Sequence, residues 1–139
     1  MLRIIEVTKT LPPGFDRLRV LAKQEGFNHI DRLAQDWATG VTRFDRSGES
    51  LLAAFIENDL VGIGGLTIDP DSSAQLRMRR FYVSPTFRGQ SIGRALADKL
   101  LNQTQVTITV NAPEDAHCFW QAIGFRPDHR EGHTHILVR

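Results

Sequence analysis

With a single cysteine, Cys118, among its 139 residues, the chain cannot form an internal disulfide, and that scarcity agrees with a reducing compartment. Long apolar runs are missing too. No stretch approaches the roughly twenty apolar residues of a membrane span. The opening Met1-Leu2-Arg3-Ile4-Ile5-Glu6-Val7 lacks the apolar core and small-residue cleavage site of a leader, so a cytoplasmic chain without membrane contact is expected. Charge of one sign is missing as well: 17 Lys and Arg face 16 Asp and Glu. That balance gives no global field toward nucleic acid or an anionic surface. Internal repeats, low-complexity tracts and linkers are absent. A 41% hydrophobic content at this length closes one core rather than two, which predicts one domain over residues 1–139.

What is present follows clear periods. Apolar and polar residues mostly alternate over residues 2–7, predicting a strand that Pro12-Pro13-Gly14 stops. Phe15, Leu18, Leu21 and Ala22 share a helical face ahead of Gly26. Ile30, Leu33, Ala34 and Trp37 share another, between a capping Asn28 and Gly40. Residues 50–56 and 60–68 are apolar runs joined by Glu57-Asn58-Asp59, a hairpin signature. Gly62, Gly64 and Gly65 weaken the second run as a strand and admit close approach of a backbone or ligand. After the turn at Asp69-Pro70-Asp71, residues 76–83 read as a further strand that Pro85 ends. Ile92, Ala95, Leu96 and Leu100 then predict a helix over residues 91–101, and Val106, Ile108 and Val110 alternate with threonines as a strand. Pro113 suits a first helical position, and Ala116, Phe119, Trp120 and Ile123 form the stripe of a helix that Gly124 closes. A hairpin completes the chain. The order predicts an α+β fold, a mixed sheet with helices on its faces.

The sharpest chemical feature is the passage from the strand at residues 76–83 through Ser84-Pro85-Thr86-Phe87 into Arg88-Gly89-Gln90-Ser91-Ile92-Gly93-Arg94. Unpaired amides and the positive end of a helix dipole meet there, as a pyrophosphate requires. Gly89 and Gly93 let the chain bend and phosphates approach, and Arg88 and Arg94 can add charge-assisted contacts. Alone, the pattern also admits the blander reading of a tight turn with a surface arginine. The Gly-Lys-Ser/Thr of a P-loop and the G-x-G-x-x-G of a dinucleotide site are both absent.

The segment Phe81-Tyr82-Val83-Ser84-Pro85-Thr86-Phe87 followed by residues 88–96 resembles the signature of the GNAT superfamily of N-acyltransferases, R/Q-x-x-G-x-G/A after an L/I-x-V-x-P strand end. Arg88 and Gly93 match its first and last positions, and Ser91 replaces the middle glycine. Val110-Asn111-Ala112, followed by a helix ending Phe119-Trp120-Gln121-Ala122-Ile123-Gly124-Phe125, is similar to the family's strand-Asn-helix-F-Y-x-x-x-G-F segment. The resemblance implies a GNAT-like central mixed, largely antiparallel sheet in which the strand of Phe81 splays from that of Val110. It also implies acetyl-CoA as co-substrate without a metal, and a homodimer is compatible with it. By the same analogy Phe81, Tyr82 and Val83 line the acyl end, and Arg88, Gly89, Gln90, Ser91, Ile92, Gly93 and Arg94 hold the pyrophosphate. Asn111 then contacts the pantetheine arm or orients the amine. The implied reaction is acetyl transfer to a primary amine of a small molecule or peptide by direct attack. The alternative is a catalytically impaired acyl-CoA-binding module.

Attack by a neutral amine needs a base, an oxyanion donor and an acid for the thiolate. The family's thiolate-protonating tyrosine falls at Trp120, whose indole N–H cannot serve as an acid. Where relatives keep a glutamate base, this chain has Gln75, Arg77, Arg79 and Arg80. The catalytic candidates are therefore Glu49, His29 and Tyr82, the only tyrosine. Blander readings stand beside these: Trp37 and Trp120 as packing residues, Asn111 as a helix cap, and His129, His133 and His135 as solvated hairpin residues rather than metal ligands. Arg77-Met78-Arg79-Arg80 is no nucleic-acid patch, because a strand sends alternate residues to opposite faces. Arg77 and Arg79 point together and would favour an acidic acceptor.

Overall fold

Apolar residues on both sides of a strand require cover on both sides, and the two central strands have it. In the computed structural model, which describes residues 1–139, β2 (Ser50–Ile56) and β3 (Asp59–Asp69) bury nearly every residue. β1 (Leu2–Glu6), β4 (Ser72–Val83), β5 (Ile108–Val110), β6 (Arg126–Arg130) and β7 (His133–Leu137) complete one sheet in the order β1-β2-β3-β4-β5-β7-β6. Every pairing is antiparallel except β4 with β5.

Alternation sorts the core into two layers. Leu51, Ala53, Phe55 and Ile63 face α1 (Phe15–Gln24) and α2 (His29–Thr39), packing on Leu18, Ile30, Leu33 and Trp37. Leu52, Ala54, Val61 and Leu66 face α3 (Ile92–Leu101), packing on Leu96 and Leu100, and the layer extends to Trp120 on α4 (His117–Ile123). The predicted mixed sheet with helices on both faces is the fold observed. The glycines of β3 make room for the protein's own rings: a Cβ on Gly64 would lie 2.8 Å from the Phe81 ring, and one on Gly65 would lie 2.7 Å from that of Phe44.

Four local expectations need correction. Asn28 makes no side-chain capping bond; its carbonyl accepts from the Arg32 N–H at 3.1 Å. Val106 lies outside β5, its N–H donating to Thr104 Oγ1. Pro113 precedes a single 3₁₀ turn, Glu114–Ala116, and α4 starts at His117. His133 and His135 are buried, not solvated, because β7 is paired along both edges and packs under α4. His135 contacts Thr134 Oγ1 at 2.8 Å and Gln121 at 3.1 Å, while His133 Nε2 donates to Asp128 at 2.9 Å.

β4 positions the site. Gly65 pairs with Arg79 but Ile63 pairs with Tyr82, so β4 carries an extra residue in a bulge, where Arg80 takes a left-handed φ of 62°. On its other edge β4 meets β5 only through Leu76, Arg77 and Met78. Beyond Met78 the two strands part. At the root of this fork Arg77 is buried against Asp69 at 3.0 Å, Asp71 at 3.2 Å and Thr109 Oγ1 at 3.1 Å, and Thr109 in turn donates to Asp69.

Asp69, with a side chain 1% exposed, is the partner that holds Arg77. Asp69→Ala is expected to cost about 3 kcal/mol by leaving a buried guanidinium under-compensated. Asp71→Ala removes a carboxylate that is 58% exposed and should cost under about 1 kcal/mol. Urea denaturation of the two variants checks this order.

Candidate active site

The fork exposes backbone. Ser84 N–H donates to Val61 O at 2.8 Å and Tyr82 pairs with Ile63, so these residues turn their polar groups to β3. Alternation then turns those of Phe81 and Val83 toward the fork, where no strand meets them. Phe81 O accepts from His29 Nε2 at 2.8 Å, and Val83 O accepts from Arg88 Nε at 3.1 Å. The N–H groups of both remain on the open edge. On the opposite arm, Asn111 follows the last residue of β5 with an exposed side chain that bonds to nothing in the protein.

After β4, Pro85–Phe87 form a 3₁₀ turn and Gly89 bends the chain at φ 78°. Nothing lies within 4 Å of where a Gly89 Cβ would stand, so this bend is open to a ligand. Ala95 is the first residue of α3 whose N–H finds a helical acceptor, Ser91 O at 3.0 Å. Every amide from residue 89 to 94 therefore points out of the helix start with no protein acceptor. Ser91 has φ 62°, which explains the family's glycine at this place: a side chain here costs left-handed strain.

The side chains of this turn depart from their expected roles. A Cβ on Gly93 would stand 3.2 Å from the Phe119 ring and 3.6 Å from Val83, so this glycine is required by the packing of α3. Ile92 is buried in the core and offers only its amide. Gln90 is exposed, and Arg94 reaches Asp98 at 3.7 Å and Ala122 O at 3.5 Å. Arg88 is not free for an anion: its fork grips Glu25 at 2.8 and 2.6 Å.

Glu25 is the residue that sequence reasoning missed. It follows α1 without any motif, yet its carboxylate takes both Arg88 nitrogens and the Tyr82 hydroxyl at 2.5 Å. Hydrogen bonding to Arg88 holds Glu25 below the usual carboxylate range. Burial, then the bond to Glu25, pushes the Tyr82 phenol well above its ordinary value, so it stays protonated. Arg88 also covers the Tyr82 ring at 5.5 Å, tying the turn before α3 to the end of α1.

The catalytic candidates separate. His29 stacks edge-on with Phe27 and Tyr82, and burial pushes its imidazole below the ordinary value despite the bond to Phe81 O, leaving it neutral near pH 7. Donation from Nε2 leaves Nδ1 as the acceptor. Glu49 has both oxygens engaged by backbone, from Arg46 N–H at 3.2 Å and Ile68 N–H at 2.9 Å. Trp120 is 4% exposed among Phe81, Phe119 and Phe125 and is a packing residue. No three His, Cys, Asp or Glu side chains are grouped to hold a metal.

Comparison with known proteins agrees with this fold. The family model for the acetyltransferase (GNAT) domain matches residues 22–137. Among solved structures, a protein from Exiguobacterium sp. 255-15 described as a candidate acetyltransferase is similar at 26% identity and a TM-score of 0.90, over 99% of this chain and 93% of that one. A GNAT-family acetyltransferase from Staphylococcus aureus Mu50 is similar at 22% identity and a TM-score of 0.74, over 95% and 89%. An aminoglycoside 6'-N-acetyltransferase solved with coenzyme A shares the fold at 16% identity and a TM-score of 0.64, over 96% and 92%. No curated protein matches the chain in sequence.

Ser91→Gly is expected to stabilise the protein by up to about 1 kcal/mol, a few degrees in Tm, by relieving the left-handed serine. Gly93→Ala should cost about 1–3 kcal/mol through crowding against Phe119 and Val83. Thermal melts read both.

Proposed function

This chain belongs to the GNAT acetyltransferases, and from that premise we propose that it moves an acetyl group from acetyl-CoA to a primary amine of a small molecule or peptide, by direct attack in a ternary complex. The observation that carries this reading is the row of unaccepted amides over residues 89–94, set beside Val83 at the mouth of the fork. Such a row at a helix start suits a diphosphate, and the open bend at Gly89 lets one approach. The amides supply this recognition, with Arg88 held by Glu25. The edge N–H groups of Phe81 and Val83 suit the amide-bearing pantetheine arm and, at its end, the thioester oxygen. Asn111 lines the other arm of the fork.

Acetyl-CoA supplies an acetyl group activated as a thioester. The amine nitrogen bonds to the acetyl carbon, the carbon–sulfur bond breaks, and the electron pair leaves on sulfur. An ordinary alkylammonium with a pKa near ~10.4 is almost wholly protonated at neutral pH, so the amine must first lose a proton. His29 is the base in this reading: neutral, oriented by Phe81 O, and beside the edge where the thioester lies. Tyr82 keeps its proton in a hydrogen bond to Glu25 and is not the acid. Trp120 has none to give, so the thiolate takes its proton from water or from the substrate's ammonium. The lack of an acid at Trp120 supports the second reading, a coenzyme-binding module without turnover.

Acetyl-CoA at a hundred times its Kd is expected to raise stability by about 2.7 kcal/mol, and thiol release over a panel of amines separates enzyme from module. No stabilisation sinks both readings; stabilisation without thiol release from any amine leaves the module. A buried neutral base works above its own pKa, so log kcat/KM should fall as pH drops through a value below that of an ordinary histidine. His29→Ala should remove this limb and lower kcat/KM on the order of 10²-fold; an unchanged profile removes His29 from the role.

A further inference from the structure

Two polar groups on the α1/α2 face lack protein partners, and they are neighbours. Arg79 is the first residue of β4 past the last pairing with β5. Arg77 is held by Asp69 and Asp71, and Arg80 reaches Asp36 at 3.3 Å, whereas Arg79 makes neither a hydrogen bond nor an ion pair. Its burial and the charges of Arg80 and Arg77 press its pKa down, with Asp36 and Glu49 compensating only at a distance. Thr67 is 5% exposed and its Oγ1 has no partner. Thr67 pairs with Arg77 and Gly65 with Arg79, so Thr67 and Arg79 are diagonal neighbours on one face of the sheet. Both line a recess with Asp36, Thr42, Phe44 and Arg80.

The coenzyme's proposed amides belong to the start of α3, on one face of the sheet, and Arg79 projects to the other, two residues before Phe81, whose carbonyl accepts from His29. An acceptor entering opposite the coenzyme comes in on the α1/α2 face, the face to which Arg79 projects. A guanidinium fork without an acceptor is matched in shape and charge by a carboxylate, and a buried hydroxyl without a partner can donate to one of that group's oxygens. We infer that the acceptor is a small amine that also carries a carboxylate, seated on Arg79 with Thr67 Oγ1 donating beneath it. The recess is about 170 Å3 counting open solvent, and it is closed to a water-sized sphere in this conformation. Seating even an end group there therefore requires the long Arg79 side chain, which nothing in the protein holds, to move aside.

This inference rests on the acyl-transfer reading and names its substrate class. The test is thiol release from acetyl-CoA with amino acids and with the corresponding amino acid amides, in the wild-type protein and in Arg79→Gln and Arg79→Lys. Comparing the carboxylate-to-amide ratio of kcat/KM between proteins cancels the intrinsic reactivity of each amine. In Arg79→Gln the ratio is expected to fall at least tenfold, with Arg79→Lys between and KM for acetyl-CoA unchanged. A ratio indifferent to Arg79, or a wild-type preference for amides that Arg79→Gln leaves in place, overturns the inference and spares acyl transfer. If no amine of either kind releases thiol, it is the enzymatic reading that fails. The inference is then decided by calorimetric titration of the same amino acids: binding lost in Arg79→Gln upholds the carboxylate seat, and no binding or equal binding to both proteins ends it.

Discussion

β4 outruns its parallel neighbour, and the unpaired edge that results organises the site. Met78 opposite Val110 is the last pair between them; beyond it, backbone donors and acceptors must find partners other than a strand. The protein satisfies the acceptors with side chains, Phe81 O by His29 and Val83 O by Arg88. It leaves the donors of the same residues on the open edge. An edge stripped of acceptors and rich in N–H groups suits an amide-bearing arm and the oxygen of a thioester, so the polarity of the site comes from main chain more than from charged side chains.

The bulge at Arg80 sets which residues reach which side of that edge. One extra residue between the pairs Gly65–Arg79 and Ile63–Tyr82 lets both Arg79 and Tyr82 face α1 and α2, although their numbers differ by an odd step. Arg79 then stands unpaired over Thr67, and Tyr82 is buried with its hydroxyl on Glu25. Glu25 in turn holds Arg88, the residue that begins the turn into α3. The end of α1 and the start of the turn into α3 are thereby tied to the same carboxylate.

Some site features were legible because they are local. A strand, a proline, two glycines and a helical period over residues 76–101 are enough to expose amides at the start of α3, whatever else surrounds them. The odd serine at Ser91 could be noted from its place in the motif, but its cost became apparent only through its φ of 62°. Arg88 was legible as a charge at this turn, but its hold on Glu25 was not. Its partner Glu25 lies 63 positions away in a helix end with no signature. Gly93 was legible as a glycine of the turn, but that a Cβ there would crowd Phe119 of α4 was not. His133 and His135 read as polar hairpin residues until β7 proved to be an interior strand.

By itself the sequence determined the order of elements, the two-faced mixed sheet and the place where a helix start offers free amides, because each follows from periodicity and backbone geometry within a few tens of residues. Tertiary structure alone decided which side chains remain available. Whether Arg88 is held, Arg79 is left open, His29 is neutral or Gly93 is spare depends on groups brought together across the sheet, and hydrogen bonds and desolvation act over a few ångströms of space regardless of distance along the chain.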